Sequence, residues 1–317
     1  MGLYTACILA EIEKEIDRPI ASCFDLIAGT SVGGIIALGL AAEVEAAVIR
    51  NAIATDGPKI FSRKPPPQSA LAKKVALASN ALHAKYRAST LRSTIVDLVG
   101  ETTTLGDLQH RVMVPAVNLT KGSPQVFKTD HHPNFQRDWK VSVVDVALAT
   151  SAAPTFFPLH KIGGELFADG GLYANSPDHL ALHEAEHFLD HDPEDVWILS
   201  IGTTTSRFSF SNSGETDLGW MGWMDNQRLP RVMISAQQLN TEYMMGHRLE
   251  ARYLRIDHQQ SPEQERQLAL DAASEGAIRD LWALSESSIR DNLGKGPLRS
   301  FLKHTAPPAQ FYNRKAS

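Results

Sequence analysis

The sequence predicts an α/β fold, with a largely parallel central sheet flanked by helices. Three observations carry that expectation. Short apolar runs of strand length occur at 24–28, 112–118 and 196–201. Helical patterns separate them, among them the Ala/Leu/Ile-rich stretch after residue 33. Glycine-rich breaks sit where apolar runs end, at Gly29-Thr30-Ser31-Val32-Gly33, Asp169-Gly170-Gly171 and Gly202. Strands alternating with helices imply crossover connections and parallel pairing.

In chain order, residues 3–15 read as a helix with Ile8, Leu9, Ile12 and Ile16 on one face and Glu11, Glu13, Lys14 and Glu15 mostly on the other. A buried strand at 24–28 leads through the first glycine turn into an apolar helix. Residues 57–96 form a basic block holding Lys59, Arg63, Lys64, Lys73, Lys74, Lys85, Arg87 and Arg92 and no acidic residue, with prolines at 65–67 and a helical pattern over 69–85. Such a block suits either a solvated helix face or contact with anionic headgroups. Strands follow at 112–118 and 125–128, the second after a Lys121-Gly122-Ser123-Pro124 turn. A helix at 143–150 precedes Ala152-Ala153-Pro154, and a strand at 165–168 is broken by Asp169-Gly170-Gly171. Ser176-Pro177-Asp178 reads as a helix start, with Ser176 as N-cap and Asp178 facing the helix dipole. After the strand at 196–201, residues 227–249 and 262–292 read as two long helices and 305–317 as a frayed tail.

Bulk properties narrow the function. The 317 residues are 43% hydrophobic and 21% charged, ordinary globular values with ample material for a core. A net charge of −5 gives no reason to expect a nucleic-acid polymer as partner. Cys7 and Cys23 lie in apolar contexts without ligand spacing and read as buried thiols of a reducing compartment. Absence of an apolar run of membrane-spanning length, and early acidic residues at Glu11 and Glu13, lead to the expectation of a cytoplasmic protein.

The chemistry centres on Ser31. G-x-S-x-G between a strand and a helix is the context of a nucleophile elbow, in which a strained turn lifts the serine oxygen clear of the sheet. Gly29 and Gly33 would let strand and helix approach closely, and the backbone N–H groups of the helix start would face a developing oxyanion. The same residues also suit a plain turn before a core helix. Serine needs a base. Twelve histidines make a Ser–His–acid esterase the first alternative, with His160, His179, His183 and His187 in a suitable region. The elbow of that fold follows several strands, however, whereas few residues precede Ser31 here. His183 and His187 share a helix face, but no carboxylate-rich partner completes a metal site, and ordinary surface histidines are the reading adopted. Asp169, at a strand end and before two glycines, is the other candidate base; Asp-Gly-Gly by itself is also a common turn.

Taken together, the motifs resemble the patatin-like phospholipase family. Gly29-Thr30-Ser31-Val32-Gly33 comes first, then residues 149–158 (Ala-Thr-Ser-Ala-Ala-Pro-Thr-Phe-Phe-Pro), then Asp169-Gly170-Gly171-Leu172-Tyr173-Ala174-Asn175-Ser176-Pro177. The likeness covers roughly residues 3–205, with core motifs at 24–182. It implies a three-layer patatin-like fold over 1–205, with a helical C-terminal region, 206–317, packed on the same domain. It also implies a Ser31–Asp169 dyad that cleaves acyl esters of glycerophospholipids through an acyl-serine intermediate, without cofactor or metal. The substrate would be membrane phospholipid or another acyl ester, reached by transient contact with the membrane surface. General similarity is greatest to bacterial members that act as effectors in cyclic-oligonucleotide antiphage signalling, which implies a cyclic-oligonucleotide activator.

One departure stands out. The family's D-G-G-G-x-R-G loop, a source of oxyanion donors, has only Gly2 as counterpart, so a start codon placed too late and a truly shortened protein are both open. Loss of an oxyanion donor costs about a hundred- to a thousandfold in rate, so weak hydrolysis by this form is expected, with activity restored by an upstream extension. A non-catalytic relative that binds lipid or a signalling nucleotide is the remaining alternative. Trp220, Met221, Trp223 and Met224 form an aromatic and thioether cluster that suits either a lid or ordinary core.

Overall fold

The computed structural model describes residues 1–61, 84–204, 209, 216–219, 222–223, 228–268, 271–294 and 296–313. The proline cluster at 65–67, the helical pattern over 69–83, Arg63, Lys64, Lys73, Lys74, Trp220, Met221 and Met224 lie outside these residues.

Helix α1 (Gly2–Ile16) is buried continuously from Gly2 to Ala10, more than a one-sided stripe predicts. The helix has neighbours on more than one side, packing on both α3 (Ala46–Ile60) and α10 (Glu275–Leu293). Asp17 ends it in a left-handed conformation, φ 51°. Glu13, on the polar face, accepts the N–H of Ile20 at 3.0 Å and of Ala46 at 2.6 Å, tying the helix to the next two segments.

Strand β1 is short, Ile27–Ala28, where the apolar run suggested 24–28. It pairs in parallel with β2 (Val112–Asn118). Between them in sequence lies α2 (Val32–Ala41), apolar on every side and therefore central. Its Ile35 and Leu38 join a core with β2, α4 (Ala88–Val99), α5 (Val143–Thr150) and Phe127 and Phe167. Its Ile36 and Leu40 join a second core built on α1, α3 and α10.

The α/β class and a central sheet flanked by helices stand as expected, but strand pairing is mixed. Among the described residues the main sheet has five strands, in which β2 pairs antiparallel with β3 (Ser123–Lys128) and β5 (Glu165–Asp169), and β5 pairs antiparallel with β4 (His160–Ile162). Parallel pairing recurs in a two-stranded sheet of β6 (Ile198–Ile201) and β7 (Tyr253–Ile256). The short connections 119–122 and 163–164 can only reverse the chain, and that makes the hairpins antiparallel.

The short α6 (Gly171–Ala174) leads into α7 (Asp178–His187). The cap of α7 is Pro177, not Ser176, and it makes no side-chain cap bond. Asp178 is buried and accepts from Ser200 Oγ and Tyr253 OH, each at 2.8 Å, so it fastens the helix to β6 and β7 instead of meeting solvent at the helix start. Helix α8 (Arg228–Leu249) has the expected extent. The predicted helix at 262–292 is two, α9 (Pro262–Gln267) and α10, because Ser274 caps a new start by accepting from Ala277 N–H at 3.2 Å. After α11 (Gly296–Lys303), residues 304–313 are irregular yet anchored: Ala306 N–H bonds Ser22 O, and Asn313 N–H bonds the Asp130 carboxylate at 2.6 Å.

Candidate active site

β1 and β5 lie along the same edge of β2 and run toward each other. Ala28 pairs with Met113 and Asp169 with Ala116, while β3 occupies the opposite edge along 113–118. The tips of β1 and β5 therefore meet beside Pro115. Residues 31 and 169, far apart in sequence, leave these tips as neighbours.

At the first tip the chain turns sharply into α2. Ser31 has φ 56° and ψ −126°, a region that side-chain-bearing residues rarely occupy and that costs about 1–3 kcal/mol. Close approach is enforced by glycine: a Cβ on Gly29 would lie 2.1 Å from Gly33 O, and one on Gly34 2.8 Å from Thr150 Cγ2. Gly33 differs from expectation. A Cβ there would meet nothing within 4 Å, so its side-chain direction is open, although its carbonyl lies against Gly29. Gly34, which the motif does not include, does the packing. The N–H groups of Val32 and Gly33 begin the helix, where no intrahelical carbonyl precedes them.

At the second tip, Asp169 N–H donates to Ala152 O at 3.0 Å. Gly170 lies against β2, where an added Cβ would come within 2.2 Å of Pro115 O. Gly171 N–H donates to Asp169 Oδ1 at 2.7 Å. The other carboxylate oxygen, Oδ2, accepts from Ser31 Oγ at 2.7 Å. Asp169 is only 5% exposed. Burial pushes its carboxyl up to about 6, against the opposing pull of the Ser31 and Gly171 hydrogen bonds.

Two threonines complete the frame, and the motif reading had assigned neither a role beyond its place in a pattern. Thr150 Oγ1, at the end of α5, accepts the Ser31 N–H at 2.9 Å and donates to Pro115 O at 2.6 Å. Thr30 Oγ1 donates to Ala174 O at 2.6 Å, tying the elbow to α6. Polar residues next to small ones at motif edges were the available sequence signal, but Thr30 and Ala174, like Thr150 and Ser31, are more than a hundred residues apart.

Ser31, Gly33 and Asp169 line a cavity of about 1060 Å³. Its lining includes the apolar Ile35, Leu91, Ile95 and Phe156 together with residues of β1 and β6. Phe61 and Tyr86 pack edge to face at 5.3 Å, and Phe157 lies 6.0 Å from Phe61, forming an aromatic cluster.

Other candidates separate from this centre. His160 bonds Asp145 at 2.9 Å, and His183 and His187 stack on each other along α7 at 5.3 Å. Among the described residues, no group of three or more His, Cys, Asp or Glu could hold a metal ion. Of the four described cations in the basic block, Lys59 pairs with Asp56 and Arg92 with Glu101 as exposed side chains, which favours the solvated-face reading for these two, whereas Lys85 pairs with the largely buried side chain of Asp271. Cys7 and Cys23 are free and buried, and burial pushes the Cys7 thiol up to about 11. Trp223 is half-buried, and its N–H donates to Gly219 O at 3.2 Å.

Comparison with known proteins gives consistent results. The family described as patatin-like phospholipase matches residues 2–182. A protein of Pseudomonas aeruginosa named cGAMP-activated phospholipase is 40% identical over 314 residues, covering 98% of this chain and 91% of that protein. Proteins with the same name from Vibrio cholerae and Escherichia coli are 36% and 38% identical, covering 88% and 89% of this chain and 84% and 83% of theirs.

Proposed function

The chain belongs to the patatin-like phospholipase family, and we propose that it hydrolyses acyl esters of membrane phospholipids with Ser31 as nucleophile and Asp169 as general base. The observation that carries this reading is the 2.7 Å bond from Ser31 Oγ to Asp169 Oδ2 at a strained elbow.

In this reading Ser31 Oγ attacks the ester carbonyl carbon while its proton passes to Asp169 Oδ2. The carbonyl oxygen becomes an oxyanion beside the Val32 and Gly33 N–H groups at the start of α2. The bond from carbon to the glycerol oxygen then breaks, and that oxygen takes the proton from Asp169. Water attacks the acyl-serine, again giving a proton to Asp169, and fatty acid leaves as Ser31 is restored. A carboxylate is an adequate base here because burial brings it closer to neutrality than an exposed aspartate. The apolar lining of the cavity suits an acyl chain.

The relatives' name supports cGAMP, or a related cyclic oligonucleotide, as activator of this chain as well. A catalytic unit over residues 1–205 with 206–317 packed on it is supported by the β6–β7 pairing and by α1 against α10. Two free buried cysteines suit the cytoplasm. Among the described residues no helix is long and apolar enough to cross a membrane, so substrate would be met at the membrane surface.

Fatty-acid release from phospholipid vesicles, with and without cGAMP, tests the proposal. The wild type releases fatty acid, and Ser31→Ala and Asp169→Ala each abolish release while keeping the folded circular dichroism spectrum. Undiminished release by purified Ser31→Ala would overturn the assignment.

A further inference from the structure

The turn that aims Asp169 is held from outside the family-matched residues. Helix α6, Gly171–Ala174, is a single turn and cannot stabilise itself. Its backbone is clipped by one side chain of α8. Gln237 Oε1 accepts the Asn175 N–H at 3.2 Å, and Gln237 Nε2 lies 3.3 Å from Gly171 O and 3.4 Å from Leu172 O as donor. The residue so held, Gly171, is the one whose N–H grips Asp169 Oδ1. Family-matched residues end at 182, so α8 belongs to the C-terminal part. The same helix presents Leu229, Pro230, Met233, Ile234 and Gln238 to the cavity that holds Ser31.

We propose that Gln237 is a positioning residue of the hydrolytic site: its amide fixes the Gly171–Asn175 turn and thereby keeps the Gly171 N–H aimed at the Asp169 carboxylate. This rests on the Ser31–Asp169 reading above. An N–H bonded to the carboxylate favours its charged form, the form that accepts the serine proton. Loss of the clip therefore lowers the fraction of competent base at acidic pH and misaligns Oδ2 at every pH. Among the described residues, the bonds to Ser31 Oγ and Gly171 N–H are the polar contacts of this carboxylate. The other charged and histidine side chains lining the same cavity, Asp25, Asp178, His191, Asp195, Arg255 and His304, do not figure among the causes of its perturbation.

Gln237→Met keeps the volume and removes both donor and acceptor, and Gln237→Glu keeps the acceptor alone. Initial rates on phospholipid vesicles with cGAMP, from pH 5 to 9, are compared for both variants, wild type and Ser31→Ala. The expected result for Gln237→Met is a kcat lower by roughly tenfold with KM within about twofold, and an acid limb displaced upward by about half a pH unit or more. Gln237→Glu retains the Asn175 bond but places a carboxylate near Asp169, so its acid limb also moves upward. An acid limb unchanged in Gln237→Met, in a background where wild type is active and Ser31→Ala is dead, overturns the positioning role and leaves the dyad intact. A wild type that is inactive, or an active Ser31→Ala, instead overturns the reading on which the role rests.

Discussion

Replacing Asp169 by Asn should destroy hydrolysis and stabilise the fold, and the gain should grow with pH. Burial raises the Asp169 carboxyl from the ordinary 3.8 to about 6. A raised carboxyl binds its proton more tightly in the folded state, so the stability it contributes is present at low pH and is lost as pH rises through about 6. The gap of roughly two pH units corresponds to about 3 kcal/mol between the fully protonated and fully charged limits. Asparagine is isosteric and neutral. Its oxygen can still accept from Gly171 N–H, and its amide can donate to Ser31 Oγ, so both sites now occupied at 2.7 Å remain filled. Measured against wild type by urea unfolding, Asp169→Asn should be more stable by about half a kcal/mol at pH 4 and by about 3 kcal/mol at pH 8. An advantage that is absent at pH 8, or independent of pH between 4 and 8, would refute the claim that a desolvated carboxylate sits at this position. Retained activity in the same variant would revive a histidine base.

Two further substitutions probe the frame. Ser31→Gly and Ser31→Ala both lack the oxygen and should be inactive, but glycine tolerates φ 56° and ψ −126°; Ser31→Gly should therefore unfold at higher urea than Ser31→Ala, by about 1 kcal/mol. Thr150→Val keeps the shape but leaves Ser31 N–H and Pro115 O unpaired, so a loss of about 2–4 kcal/mol and a fall in kcat are expected, with Thr150→Ser recovering most of both when unfolding and vesicle hydrolysis are measured.

Much of this site was legible because its determinants are local. The strand at 112–118 and the helix at 143–150 emerged with the boundaries observed, since a Lys-Gly turn and an Ala-Ala-Pro break delimit them. The elbow announced itself through glycines flanking a serine. What could not be read depends on distant partners. Gln237 is one polar residue among many on α8 until the fold brings Asn175 N–H within 3.2 Å. The break between α9 and α10 is similarly hidden, because residues 262–292 keep a helical composition throughout and only Ser274 marks the restart. Mixed strand direction escaped the alternation argument, which counts elements but does not say which of them are hairpins.

Pro115 shows why the two halves of the site meet where they do. A proline within a central strand ordinarily argues against that strand, because it cannot donate to the ladder. Here Ile27 N–H donates to Arg111 O and Gly29 N–H to Met113 O, so alternate residues of β2 turn their polar groups toward β1. By the two-residue period of a strand, Pro115 faces the same edge. That is the point where β1 has ended and β5 has not begun, since pairing passes from Met113–Ala28 to Ala116–Asp169. Among the described residues no partner strand lies there to miss an N–H. The Pro115 carbonyl, which would otherwise be left unpaired, takes the Thr150 hydroxyl at 2.6 Å and lies beneath Gly170. The interruption in the ladder is thus where both strand tips turn out of the sheet. Proline on β2, glycine at 170 and threonine at 150 let them do so without stranding a buried polar group.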